Sequence, residues 1–185
     1  MPDDDSIYYR LDAEDRIVEA GSDAWDEFAT QNGGRSALRV QIEGTKIYAH
    51  VAGEASRMFV WTMLDGVRKL GRGTTKLYRC DSPNLKRQME MTIAPAGNGG
   101  LLVTHRTVRT EPLLRPLSFA ASPRQSTRLL VRCSMCNRLR VDGAWREPEA
   151  VQSLAAQPPG RGAIAVAYGI CEPCSGTAHQ PSRRK

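Results

Sequence analysis

The sequence predicts an α+β protein: an antiparallel sheet with a long helix packed across it, then a small zinc-binding module of the knuckle or ribbon kind. Three observations predict it. Val60, Met63, Leu64, Val67 and Leu70 recur at helical spacing over one long stretch. Strand-like runs flank that stretch, two before it and three after it. Two Cys-x-x-Cys turns, Cys133 to Cys136 and Cys171 to Cys174, stand 34 residues apart near the C-terminus.

Ile7-Tyr8-Tyr9-Arg10-Leu11 and Ile17-Val18-Glu19-Ala20 read as two strands around a turn over 12–16. Ser22 or Asp23 caps a short helix that carries Trp25 and Phe28 on one side, and Asn32-Gly33-Gly34 stops it. Gly44 to Val51 forms a short helix or turn. The long helix runs from Glu54 to Leu70, with Arg57, Trp61, Asp65 and Arg68 opposite its apolar stripe. Trp61 is thus out of place on a polar face, and it marks a candidate partner interface. The reading in which the chain itself covers Trp61 stays open.

Three strands follow. The first runs over 75–80 to a turn at Asp81-Ser82-Pro83-Asn84. The second, over 86–94, alternates Met89, Met91 and Ile93 with Gln88, Glu90 and Thr92, so one face is buried. Gly97-Asn98-Gly99-Gly100 turns the chain into the third, over 101–109. These elements define a first domain over 1–110. Prolines and serines without a steady period make 111–127 a linker. The zinc module spans 128–174, and 175–185 reads as a disordered tail.

Each Cys-x-x-Cys turn presents two sulfurs to one ion, and two turns complete the tetrahedron of thiolates that closes a structural zinc site. A catalytic zinc would keep an open position with histidine or carboxylate among its ligands. The proposed ligands are Cys133, Cys136, Cys171 and Cys174. Two redox-active pairs, or plain buried cysteines, are the competing readings. Arg132, Arg138 and Arg140 flank the first pair and offset the charge of −2 on a zinc tetrathiolate. Between the pairs, 139–141 and 144–145 form a small hairpin through Asp142-Gly143, and 148–154 a short helix. A loop over 158–162 and a strand over 164–167 then lead to the second pair. So little apolar sequence surrounds the cysteines that the metal supplies most of the folding energy. Cys80 stands apart as a small buried hydrophobe.

The net charge of +6 conceals a split, −7 over residues 1–56 and +13 over 57–185. The halves attract one another, the arginines are simply a solvated surface, or the basic half meets nucleic acid. The acidic start, Met1-Pro2-Asp3-Asp4-Asp5, is unlike a secretory signal. No apolar run spans a bilayer, so a cytoplasmic protein with reduced thiols and no membrane partner is expected.

The segments Tyr78-Arg79-Cys80-Asp81-Ser82-Pro83 and Arg87-Gln88-Met89-Glu90-Met91 resemble a signature of bacterial PAS-like proteins. In that group a Cys-x-x-Cys segment precedes a His-Gly-Ile-Cys segment, and here Tyr168-Gly169-Ile170-Cys171 places tyrosine where histidine stands. The resemblance implies a sensor fold that holds a small ligand between sheet and long helix, and pairing as a homodimer. It names no ligand. A haem version needs an axial histidine, for which His50 is poorly placed. The flavin photosensor cysteine motif is absent, and Met58, Met63, Met89 and Met91 are candidates to line a pocket.

Enzyme signatures fail. Gly71-Arg72-Gly73-Thr74-Thr75 lacks the phosphate-loop lysine, no Gly-x-Ser-x-Gly occurs, and the deaminase pattern lacks its first half. The expected function is signal transduction: a non-catalytic sensor that acts through a protein partner. The alternatives are a nucleic-acid-binding zinc protein using Arg138, Arg140, Arg146 and Arg161, and a thiol redox switch.

Overall fold

The computed structural model describes residues 6–31, 34–114, 116–122, 130–151 and 163–176. The expectations for 158–162 and for nearly all of the tail therefore lie outside the described residues. No helix among those described is long and apolar enough to cross a membrane.

The first layer is a five-stranded antiparallel sheet in the order β2-β1-β5-β4-β3. It comprises β1 (Ile7–Leu11), β2 (Ile17–Ala20), β3 (Thr74–Arg79), β4 (Leu85–Pro95) and β5 (Leu101–Pro112). Alternation sets its inner face. Ile7, Tyr9 and Leu11 of β1, Met89 and Ile93 of β4, and Leu101 and Val103 of β5 are buried. A bulge between Gln88 and Met89 shifts the register, so Gln88 opposes Arg109 while Met89 opposes Thr107. The tight turn from β1 to β2 closes on Asp12, whose carboxylate accepts the backbone N–H groups of Glu14 and Arg16.

Helices between β2 and β3 cover that face. In α1 (Ser22–Gln31), Trp25 meets Tyr9 edge to face at 5.8 Å and donates its indole N–H to the Ala37 carbonyl. Asp26 receives both the backbone N–H and the Nε of Arg39, which starts α2 (Arg39–Ile42). A 3-10 turn over Ile47–His50 precedes α3 (Glu54–Leu70). The stripe on α3 is rotated from the expected one. Ser56, Phe59, Met63, Leu64 and Val67 are buried, Val60 only partly, and Leu70 is exposed. The N-terminal turn of α3 has something further to pack against, while Leu70 in its last turn is left exposed.

That further element is a second five-stranded sheet, in the order β6-β10-β7-β8-β9. Its strands are β6 (Phe119–Ala121), β7 (Leu130–Cys133), β8 (Leu139–Val141), β9 (Ala144–Arg146) and β10 (Ile164–Gly169). Two features depart from expectation. Phe119–Ala121, inside the stretch read as linker, is a strand, and β10 runs parallel to both β6 and β7. The result is a mixed sheet with its own apolar cluster of Leu139, Val151 and Val166, more than a bare knuckle or ribbon. The β8–β9 hairpin turns at Asp142 and Gly143, both at positive φ (49° and 78°), as the turn sequence predicts. Only a 3-10 turn over Pro148–Ala150 stands where the 148–154 helix was expected, as far as the chain is described.

His105, which the sequence reading passed over, lies inside the first sheet between two tyrosines. Its ring is 5.7 Å from that of Tyr9, and its Nδ1 is 2.9 Å from the Tyr78 hydroxyl. Desolvation pushes the imidazole from 6.5 down to about 4. Between those values the unfolded chain binds the extra proton, so stability is full above pH 6.5 and falls as pH drops towards 4. Discounted for the part of the residue that water still reaches, the loss is about 2 kcal/mol. Urea titrations at pH 7 and pH 5 are expected to show a smaller difference in His105→Gln than in wild type; equal differences would remove His105 from the account.

Candidate metal centre

The parallel pairing of β10 with β7 brings two distant thiol pairs together. Gly169 lies opposite Cys133, and the Ser134 N–H donates to the Gly169 carbonyl at 2.9 Å. β7 therefore enters the first Cys-x-x-Cys turn beside the point where β10 enters the second. The first turn closes through Asn137 N–H to Cys133 O and Cys133 N–H to Arg138 O, with Asn137 at positive φ. In the second, the short helix α4 (Glu172–Ser175) returns the Cys174 N–H to the Cys171 carbonyl at 3.0 Å.

The four sulfurs of Cys133, Cys136, Cys171 and Cys174 lie within 4.8 Å of one another. Cys136 and Cys171 are 3.6 Å apart. A tetrahedron with metal–sulfur bonds of about 2.3 Å has edges of about 3.8 Å, so this separation is already near that of a tetrathiolate. No disulfide joins the described cysteines. Cys133 and Cys171 are fully buried, whereas Cys136 and Cys174 are partly exposed.

The electrostatics suit a cation. A hydrogen bond from Cys136, backed by the backbone N–H groups of Cys136, Cys171 and Met135, lowers the Cys133 thiol to about 4. That same bond pushes Cys136 up, and burial pushes Cys174 up to about 12. One sulfur is thus readily a thiolate while its neighbours resist a second negative charge, which a dication would remove. The flanking arginines divide their roles. Arg138 pairs with Glu147 at 3.0 Å near the sulfurs, and Arg132 stacks on Phe119.

The centre is also a joint between the sheets. Cys133, Met135 and Cys171 belong to the same buried cluster as Phe59, Met63, Ile93 and Val103. Ser56 of α3 and Ser134 hydrogen-bond through their hydroxyls at 2.5 Å. At the β3 edge the Arg79 N–H donates to Met135 O at 2.6 Å, and the Arg79 guanidinium pairs with both Asp81 and Glu147. Next to Cys136 opens a cleft of about 320 Å³, lined among others by Leu77, Lys86, Arg109, Met135 and Glu147. The sequence reading missed Glu147, Ser56 and Ser134 and named Arg79 only within a signature segment, since nothing local marks a residue as belonging to a seam.

Other singled-out residues lie elsewhere. Trp61 is 49% exposed on α3, near Met58 at 66%. Met58 therefore cannot line an internal pocket, while Met63 and Met89 are core residues. His50 is exposed and bonded to Thr45. Burial raises the Cys80 thiol, and Cys80 is not one of the four clustered sulfurs.

No family model matches the sequence, and no curated protein matches it. Among solved structures the chain is similar to the PAS domain of the Cronobacter turicensis quorum-sensing receptor RpfR in complex with C12:0. That match has 9% identity, covers 59% of this chain and 99% of that one, and has a TM-score of 0.44. A domain of an HTR-like protein from Haloarcula marismortui matches at 12% identity, 56% and 98% coverage, and a TM-score of 0.36. The PAS-B domain of Drosophila melanogaster Cycle matches at 14% identity, 58% and 99% coverage, and a TM-score of 0.35. At such scores the matches carry no argument; the chain itself shows a five-stranded antiparallel sheet with the helices between β2 and β3 packed on it.

Proposed function

We propose that this protein is a non-catalytic, PAS-like sensor or interaction module that acts in trans on a protein partner. A structural zinc ion on Cys133, Cys136, Cys171 and Cys174 locks its two sheets together. One observation carries the reading: four thiols from two distant segments meet inside the buried cluster that also holds α3. A closed set of four sulfurs leaves no open position for substrate, so the ion's contribution is a cross-link. Thiols this close with no disulfide between them fit a reducing compartment such as the cytoplasm. A change at the first sheet or α3 would reach the second through the Ser56–Ser134 and Arg79–Glu147 contacts.

Native mass spectrometry of the reduced protein tests the metal directly, with one zinc per chain expected. Cobalt substitution should give the bands of a tetrahedral thiolate site. A metal-free spectrum under both conditions would end the reading. The exposed face of α3 around Trp61 is the proposed partner surface, self-association included. Trp61→Ala is expected to leave zinc content and thermal midpoint near wild type while weakening assembly by about tenfold or more, measured by sedimentation equilibrium. Filter binding against salt should show no phosphate-dependent slope. A steep negative slope would shift the assignment to nucleic acid.

A further inference from the structure

We propose that the outer edge of β3 is a strand-addition site for an extended peptide of a protein partner, with an acidic residue beside Lys76 and an aliphatic residue beside Leu77. The inference rests on the reading of this chain as a partner-binding module, and it uses none of the residues around Trp61. β3 is the last strand of its sheet. At the opposite end of the sheet β2 is closed by the chain itself, since the Ile17 N–H donates to the Thr45 carbonyl and the Gly44 N–H to the Ile17 carbonyl.

Backbone alternation fixes which groups of β3 face away from β4. The Cys80 N–H turns towards β4, to the Arg87 carbonyl, and the Arg79 N–H turns outward to the Met135 carbonyl. Leu77 and Thr75 precede Arg79 by two and four positions, so their N–H and C=O groups face outward as well. Among the described residues no strand pairs with that edge. The two open rungs leave room for a short segment that stops against the first Cys-x-x-Cys turn.

Side chains on the same strand specify the occupant. Lys76 is only 5% exposed, and among the described residues its ammonium makes no hydrogen bond or ion pair. Burial pushes its pKa down, with no carboxylate near enough to oppose the shift. The buried side-chain atoms without a partner belong to Asp15, Arg132 and Glu149, so the Lys76 ammonium still reaches water. A residue opposite Lys76 on an added strand would have its Cβ about 5 Å away, where a carboxylate can meet that ammonium. Leu77, on the other face, is 56% exposed, which suits an aliphatic neighbour. A second copy of this chain is the poorer occupant. The segment 71–79 carries Arg72, Lys76 and Arg79 and no acidic residue. The one antiparallel self-pairing that uses both open rungs sets Lys76 against its own copy, and like charges directly opposite repel.

Fluorescence anisotropy of a labelled, end-capped Thr-Ile-Glu-Ile-Thr peptide, titrated with the zinc-loaded full chain, tests this. The peptide is palindromic, so it presents glutamate to Lys76 in either strand direction. One-site binding is expected, about fivefold tighter than for the same peptide with glutamine at its centre. Lys76→Met should erase that preference. Leu77→Pro removes an outward N–H that an edge strand can spare, and should abolish binding of both peptides while zinc content stays unchanged. In wild type the Thr75 and Leu77 amides should exchange at least about tenfold more slowly with saturating peptide, a reading that needs no variant to fold. No binding at millimolar peptide, equal binding of the glutamate and glutamine peptides, undiminished binding by Leu77→Pro, or unchanged exchange at both amides would each overturn the proposal. Protection of those amides by raised protein concentration alone would give the edge to a second copy, and would overturn it too. Loss of peptide binding with Trp61-dependent assembly intact would leave the partner reading standing, and the zinc reading is measured separately by metal content.

Discussion

Chelation of the metal from the reduced protein is expected to unfold the second sheet and leave the first sheet folded but less stable. Apparent binding energies of structural zinc sites are about 10–16 kcal/mol at neutral pH. That exceeds what the buried triad of Leu139, Val151 and Val166 can contribute, at roughly 2 kcal/mol per buried aliphatic side chain before chain entropy is charged against it. The β7–β10 parallel pair needs a long crossover and has no local turn to hold it, so its register depends on the sulfurs beyond its end. Cys171→Ser should have the same effect by removing one ligand at a fully buried position. Two of the three indoles separate the outcomes. Trp145, bonded to Glu172 in the second turn, should become solvent-exposed, whereas Trp25 stays packed on Tyr9. Fluorescence quenching and amide exchange, with and without added zinc, read this out. Retention of β7–β10 amide protection in metal-free protein would sink the idea.

The parts legible in the sequence were those written in local periodicity. The long helix over Glu54–Leu70, the alternation through Met89, Met91 and Ile93, and the Asp142-Gly143 hairpin each follow from a pattern of a few residues. That the four cysteines come together was legible because two Cys-x-x-Cys turns are the pattern of sulfurs that share one ion. The second sheet's architecture was not. A three-residue strand such as Phe119–Ala121 has no period to detect, and a parallel partner 45 residues away leaves no local trace. The rotated stripe on α3 has the same origin. Ser56 is polar and had no place in the apolar stripe read from the sequence, yet it is buried, with Ser134, 78 positions later, as its hydrogen-bond partner. His105 likewise shows no sign in sequence that two tyrosines will enclose it.

Substitution of Gly53 should be the most damaging single change outside the cysteines and the hydrophobic core, and it tests the joint between the sheets. Gly53 sits at the N-terminus of α3 with φ 83° and ψ 140°, a conformation that L side chains rarely adopt. A Cβ there would stand 2.9 Å from the Tyr168 Cβ and 3.2 Å from the Tyr168 carbonyl oxygen on β10. Backbone strain of this kind costs about 1–3 kcal/mol, and the contact with main chain cannot be relieved by a rotamer change. Gly53→Ala is therefore expected to destabilise by about 3 kcal/mol, through α3 and β10 moving apart. Gly66 provides the matched control. It lies mid-helix with nothing within 4 Å of its would-be Cβ, so Gly66→Ala should stabilise by roughly 0.5–1 kcal/mol. Urea unfolding gives both values, and limited proteolysis shows whether Gly53→Ala frees the second sheet while zinc stays bound. If both variants shift stability alike, close packing of α3 on β10 is not what joins the sheets, and the metal together with the Ser56–Ser134 and Arg79–Glu147 contacts would have to do it.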